Sequence, residues 1–117
     1  MARYRLSGPA KADIASVLRT SEATHGVAAR IRYRALLTAA MRRIAANPQG
    51  VSSVDRCELF ESLRSFHIKH SRGESREAQV IDPVHVLFYR VHETGVVEII
   101  RVLHERMEPS QHVETKT

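Results

Sequence analysis

Apolar side chains at Ala10, Ile14, Val17 and Leu18 recur at i, i+4, i+7 and i+8, the spacing that gathers them on one stripe of a helix. Just upstream, Tyr4-Arg5-Leu6 is a short extended segment closed by Ser7-Gly8-Pro9. Ser7 or Gly8 can cap the helix, and Pro9 suits its first turn because the N–H it lacks would be unpaired there. Gly26, in Thr24-His25-Gly26, is a natural stop. Helical spacing returns over residues 27–46, where Tyr33, Leu36, Leu37, Ala40 and Ile44 make a second apolar face. Asn47-Pro48-Gln49-Gly50 ends it. Two helices joined by so short a break form an antiparallel hairpin, which needs another surface to cover.

Residues 51–62 show no period and read as an irregular connection with room for one helical turn. Leu63-Arg64-Ser65-Phe66-His67-Ile68 then alternates as a half-buried strand does. Residues 70–83 are polar and predict a long loop. Two apolar runs, 84–91 and 96–103, flank the Glu93-Thr94-Gly95 turn. Both carry apolar residues on both faces, which places them near the middle of a sheet. Residues 113–117 are expected to fray. The order is strand, helix, helix, then three strands. It predicts one α+β domain over residues 1–117, a two-helix antiparallel hairpin packed on a small, mainly antiparallel sheet.

Composition narrows the class. The chain has 117 residues, 43% hydrophobic and 26% charged, enough for a single modest core. Three Tyr, three Phe and no Trp make that core mainly aliphatic. One cysteine, Cys57, excludes an internal disulfide and suits a reducing compartment; it is expected as a small core or rim residue. The first residues contain no apolar leader segment, and no run approaches the roughly 20 apolar residues a membrane span needs. The expectation is a soluble cytoplasmic protein. Its net charge is +5, and the charge is uneven: between Ala23 and Val54 there is no acidic residue, while Arg30, Arg32, Arg34, Arg42 and Arg43 all fall there. Such a field draws a polyanion, acidic protein or nucleic acid, without naming it.

Three segments carry a family resemblance. The first is Tyr4-Arg5-Leu6-Ser7-Gly8-Pro9-Ala10, followed by Ala12 and Asp13. The second is Leu63 to Ile68. The third, and most specific, is Phe88-Tyr89-Arg90-Val91 with Val102-Leu103-His104-Glu105-Arg106-Met107-Glu108-Pro109 and His112. Together they resemble the ParE branch of the RelE/ParE toxins of bacterial toxin–antitoxin pairs. The resemblance implies a RelE/ParE-like fold and a toxin held inactive in a hetero-oligomer with a ParD-like antitoxin. It also implies a non-enzymatic mode of action, poisoning DNA gyrase on cleaved DNA, with no cofactor. The RelE-like cousins share the fold but cleave mRNA in the ribosome, so the site must decide.

RNA cleavage needs groups that activate a 2′-hydroxyl, stabilise the phosphate and protonate the leaving oxygen. His67, Lys69 and Arg106 match part of the set that RelE-like enzymes use. Val86 stands about where those enzymes have an arginine, His85 is expected on the opposite face, and no tyrosine follows Tyr89. His112 is the remaining acid candidate, in a tail. The set is incomplete, and no catalytic residue is assigned. His67 and His70 are three apart, a spacing that on a strand points them to opposite faces and excludes a metal pair. No phosphate-cradling glycine loop, helix-turn-helix, zinc finger or RNP pattern is present, which argues against sequence-specific nucleic-acid binding.

Two partner surfaces are expected. Arg101, His104, Arg106 and Met107 at the end of the last strand are assigned to gyrase, against a plain reading in which Arg101 pairs with Glu98 or Asp82. Tyr33, Leu36 and Leu37, with Arg30 and Arg34, are assigned to the antitoxin, whose amphipathic helix and extended tail would fill the groove and sheet edge of such a fold. For the three apolar residues, a role in the core alone is the plain alternative.

Overall fold

The computed structural model describes residues 3–74 and 80–113. Strand β1 (Tyr4–Leu6) leads into helix α1 (Gly8–His25), and helix α2 (Val27–Ala46) follows after one residue. The remaining strands are β2 (Val54–Asp55), β3 (Arg64–His67), β4 (His85–Val91) and β5 (Val97–His104), with single 3-10 turns at Ile68–Ser71 and Pro109–Gln111. They form one sheet in the order β1-β5-β4-β3-β2, in which only the β1–β5 pair is parallel.

The helix signals act as the sequence suggests. Ser7 is the N-cap, its Oγ accepting the Ala10 N–H at 3.0 Å, and Pro9 sits in the first turn. Gly26 joins the helices with φ 94° and ψ 173°, a region that is essentially glycine-only. No atom lies within 4 Å of where a Cβ would stand, so a substitution there costs backbone strain alone. Gly26→Ala is expected to destabilise the fold by about 1–3 kcal/mol, read by urea unfolding.

The hairpin covers one face of the sheet. Leu36, Leu37, Ala40, Met41 and Ile44 of α2 meet Phe66, Leu87, Tyr89, Val97, Ile99 and Val102 of the sheet, and Ala10 and Leu18 of α1 close the same cluster. The opposite face carries a smaller cluster of Leu63, Phe88, Leu103 and Val113, with Leu59, Phe60, Val86 and Ile100 packed around it. Apolar residues on both faces of β4 and β5 therefore reflect two clusters, one per face. A bulge between Phe88 and Tyr89 sets Phe88 opposite Arg101 but Tyr89 opposite Ile99. It shifts the phase of β5, so Val97, Ile99 and Val102 all serve the helix side.

Two details differ from the sequence reading. The segment over 51–62 contributes the short edge strand β2, held because Arg64 donates to the Ser53 hydroxyl and carbonyl at 2.7 and 3.4 Å. Val113 is buried in the second cluster rather than frayed; residues 114–117 lie outside the described residues. Part of the expected loop over 70–83 also lies outside them. No helix among the described residues is long and apolar enough to cross a membrane.

Candidate functional site at one end of the sheet

Antiparallel pairing brings three strand termini to one end. β3 finishes at His67, β4 starts at His85 and β5 finishes at His104, with His67 opposite Val86 and His85 opposite His104. His67 and His104 use the same local device. Each ring Nδ1 accepts the backbone N–H of the residue two further on: Lys69 for His67 and Arg106 for His104, both at 3.1 Å. With Nδ1 committed as acceptor, the neutral ring carries its proton on Nε2. His67 Nε2–H donates to Glu105 Oε1 at 2.6 Å. That hydrogen bond, assisted by the charges of His67, His104 and Arg106, holds the Glu105 carboxyl below its usual range.

Helix α2 supplies the floor. Tyr33 Oη accepts the Val84 N–H at 3.2 Å and donates to His85 Nδ1 at 2.6 Å. The His85 ring stands edge-on to both Tyr33 and His104, each centroid 5.5 Å away. Burial pushes the Tyr33 phenol up to about 12. Burial, with the charges of His104 and His67, pushes His85 down to about 4. Tyr33→Phe keeps the ring but strands the Val84 N–H and the His85 acceptor. It is expected to cost about 1–3 kcal/mol in urea unfolding.

A second surface lies on the outer side of α2. Ile31, Arg34, Ala35, Thr38, Ala39 and Arg42 line a shallow groove of about 860 Å³, with Glu74 at its rim. Ile31 is more than half exposed there. Arg34 and Arg42 are exposed, and Arg30 pairs with Glu22 at 3.1 Å. The groove is apolar along its floor and basic along its edges.

Residues 4–109 match the family described as the ParE toxin of type II toxin–antitoxin system, parDE. The chain belongs to the ParE toxin family. It is 38% identical over 114 residues to Toxin ParE1 of Caulobacter vibrioides, covering 97% of this chain and 99% of that protein. It is 31% identical over 111 residues to Toxin ParE1 of Mycobacterium tuberculosis, covering 95% and 97%. The strand, hairpin and sheet order described above is thus that of a ParE toxin of a type II toxin–antitoxin system, over nearly the full length of its relatives.

In this ParE toxin the residues singled out in the sequence fall into separate groups. His104, Arg106 and Met107 stand together at the sheet end with His67 and Lys69, and Arg106 and Met107 are exposed. Arg101 is set apart. Its guanidinium makes paired hydrogen bonds to Asp13 at 2.7 and 2.9 Å and a third to the His112 carbonyl at 2.7 Å. Neither Glu98 nor Asp82 is the partner seen; Glu98 instead meets His92 and Arg90. The bulge before Arg101 shifts the register, so Arg101 stands opposite Phe88 while Ile99 stands opposite Tyr89.

Tyr33, Leu36 and Leu37 lie in the core of the toxin, at 9%, 0% and 1% exposure, which leaves them no face for a partner. Of that group Arg30 and Arg34 remain outside. His67 and His70 do not diverge as expected on a strand. Ile68 begins a 3-10 turn, so the two rings come to 6.5 Å. Among the described residues, no three His, Cys, Asp or Glu side chains gather as a metal-ligand set. Cys57 is exposed rather than tucked into the core, and its hydrogen bond with Asp55 pushes the thiol up, away from nucleophilic use. His85, expected opposite the nuclease face, does face α2 through Tyr33.

Sequence reasoning missed Glu105 as the partner of His67 and Asp13 as the partner of Arg101. It also missed the groove floor, although Ile31, Ala35 and Ala39 recur every four residues, a second apolar track on the same helix.

Proposed function

We propose that this chain acts in the cytoplasm as a non-enzymatic toxin that inhibits DNA gyrase by protein–protein binding and is neutralised by a ParD-like antitoxin. The observation that carries the non-enzymatic reading is the commitment of the imidazoles. His67, His85 and His104 each spend the Nδ1 lone pair on a donor within the protein, so the lone pair a general base needs is occupied in all three. What remains at the sheet end is a presenting surface of Nε2–H groups, Arg106 and Met107. Gyrase as the target follows from the family resemblance. Inhibition then requires tighter binding to the DNA-cleaved state than to the others.

The antitoxin reading is supported by the α2 groove. An amphipathic helix with acidic flanks would lay its apolar face on Ile31, Ala35 and Ala39 and its carboxylates against Arg34 and Arg42. The double reversal Arg34→Glu, Arg42→Glu is expected to weaken the toxin–antitoxin complex at least about 100-fold, by calorimetric titration, because two attractions become repulsions. The melting temperature of the free toxin stays unchanged, since both side chains are exposed.

A ribosome-dependent mRNA interferase is the second reading. One observation favours it: the strand termini bring His67, Lys69 and Arg106 to the same end of the sheet. Inducible expression of the His67→Ala, Lys69→Ala double variant separates the two. Undiminished growth arrest fits a gyrase inhibitor, whereas loss of arrest in a folded variant returns these residues to catalysis.

A further inference from the structure

The groove on α2 differs from one end to the other. Ile31, Ala35, Ala39 and Arg43 recur every four residues along it, three apolar positions and then a cation. Arg34 and Arg42 run beside that track, about two turns from each other. Both are exposed, and neither has an ion-pair partner among the described residues. Arg43 is different. Its guanidinium donates to the His70 carbonyl at 2.6 Å, lies over the Phe66 ring at 5.3 Å and pairs with Glu74 at 3.7 Å. Glu74 is placed by its own turn, its backbone N–H bonding the Ser71 carbonyl at 3.0 Å. It is the one carboxylate lining the groove among the described residues. Helix α2 contributes none, because no acidic residue lies between Ala23 and Val54. The apolar track therefore ends at a neutralised cation, while the edge beside it carries two that are not neutralised.

We propose that Glu74 is a specificity-determining residue of this groove. It sets the direction of the docked helix, which lays acidic residues along Arg34 and Arg42 and brings a basic residue to the end beside Asn47. The inference rests on the antitoxin reading of the groove and names what that partner must carry. With Glu74 absent, the rim would be positive from end to end, and an acidic helix could dock in either direction or slide by a turn at little cost. One negative charge at one end removes that degeneracy. A partner carboxylate set there meets Glu74 instead of a free Arg43 and is repelled, whereas a lysine or arginine extends the Arg43–Glu74 pair into an alternating row.

The test uses two synthetic amphipathic helical peptides, each with leucines at i, i+4 and i+8 and a pair of glutamates eight residues apart. One carries lysine at both ends and the other glutamate, so either direction of docking presents that residue to Glu74. Binding to the whole chain is followed by fluorescence anisotropy at low ionic strength, and the quantity read is the ratio of the two affinities, lysine-ended over glutamate-ended. Glu74→Lys is expected to lower that ratio about tenfold, because an attraction and a repulsion change places. The effect shrinks as salt is added. Glu93→Lys makes the same charge change on the turn between β4 and β5, outside the groove, and is expected to leave the ratio within about twofold. Should Glu74→Lys lower the melting temperature, Glu74→Gln is read in its place, with a fall of about threefold expected. A ratio unmoved by the Glu74 changes, or moved equally by Glu93→Lys, would overturn this inference and leave the groove reading standing. Failure of both peptides to bind the parent chain would overturn the groove reading and this inference with it.

Discussion

Asp13→Ala is expected to destabilise the fold by about 3–5 kcal/mol in urea unfolding, the largest loss from any single polar side chain considered. Strand β1 covers β5 only as far as Leu6 opposite Ile99. Beyond that point the edge is finished by side chains and caps. The Ser7 N–H bonds the Ile99 carbonyl at 3.0 Å, the Ser7 Oγ donates to the Ile100 carbonyl at 2.8 Å, and Asp13 Oδ2 accepts the Val102 N–H at 2.9 Å. The same carboxylate holds Arg101, and both side chains are largely buried, at 15% and 23% exposure. Truncating Asp13 takes the paired charge-assisted bonds from a largely buried guanidinium and leaves a strand N–H without its acceptor. It also loosens the Arg101 bond to the His112 carbonyl, next to Val113 in the second cluster. Replacing both partners with leucine is expected to cost less than the Asp13 change alone, because no isolated charge then remains buried. A cost for Asp13→Ala below about 1 kcal/mol would mean the pair is solvated and the edge account mistaken.

Acid sensitivity between pH 6.5 and 4 is the second large effect. His85 ionises near 4 in the folded chain, below the ordinary histidine value of 6.5. In that window the unfolded chain binds the additional proton, so stability falls as pH falls and is fully present above about 6.5. The shift corresponds to at most about 3.4 kcal/mol, and to roughly 2 kcal/mol once partial solvent screening is allowed for. The groups facing His85 are Tyr33 and Asp13 from the helices, His67 from β3, and His104 and Glu105 from the end of β5. Asp82, from the loop before β4, acts on its partner Tyr33. The bond from His67 also holds the Glu105 carboxyl below its ordinary range, so its contribution is lost as pH falls and that carboxyl is protonated. His85→Asn keeps an acceptor for the Tyr33 hydroxyl but cannot be protonated. Urea unfolding at pH 7 and pH 4.5 is expected to show a difference about 1–2 kcal/mol smaller for this variant than for the parent chain. Equal differences would place His85 in water. Above pH 10 the Tyr33 phenol acts with the opposite sign: its folded value near 12 means stability is lost as the unfolded phenol ionises.

Much of the fold was legible because its signals are local. The spacing of Tyr33, Leu36, Leu37, Ala40 and Ile44 marks the buried face of α2, and Ser7, Pro9 and Gly26 mark helix ends by chemistry that needs no tertiary context. Strand β2 was not legible, since two residues carry no period and their pairing depends on Arg64 and Ser53 meeting across the chain. The bulge at Phe88 and Tyr89 was invisible for a similar reason. Nothing in the alternation of β5 announces a residue without a partner, and so Asp13 was not seen as the carboxylate that holds Arg101.

The site was legible in part. His67, Lys69, His104, Arg106 and Met107 were named, and the strand order brings them to one end. Their shared ring geometry was not, because a backbone N–H reaching Nδ1 depends on how the chain turns after each strand. The antitoxin assignment put apolar residues of the buried face in the partner's path. A helix wheel shows two apolar tracks on α2 but not which one the sheet takes; the bulkier track went inside, leaving Val27 and Ile31 exposed and Ala35 at the margin of the core.

The central claim, a non-enzymatic gyrase inhibitor, is tested most directly by adding the isolated chain to purified gyrase and, in parallel, to a cell-free translation reaction. Accumulation of cleaved DNA with intact mRNA and undiminished protein synthesis is the predicted result. Cut mRNA with gyrase supercoiling untouched would contradict it, as would silence in both reactions.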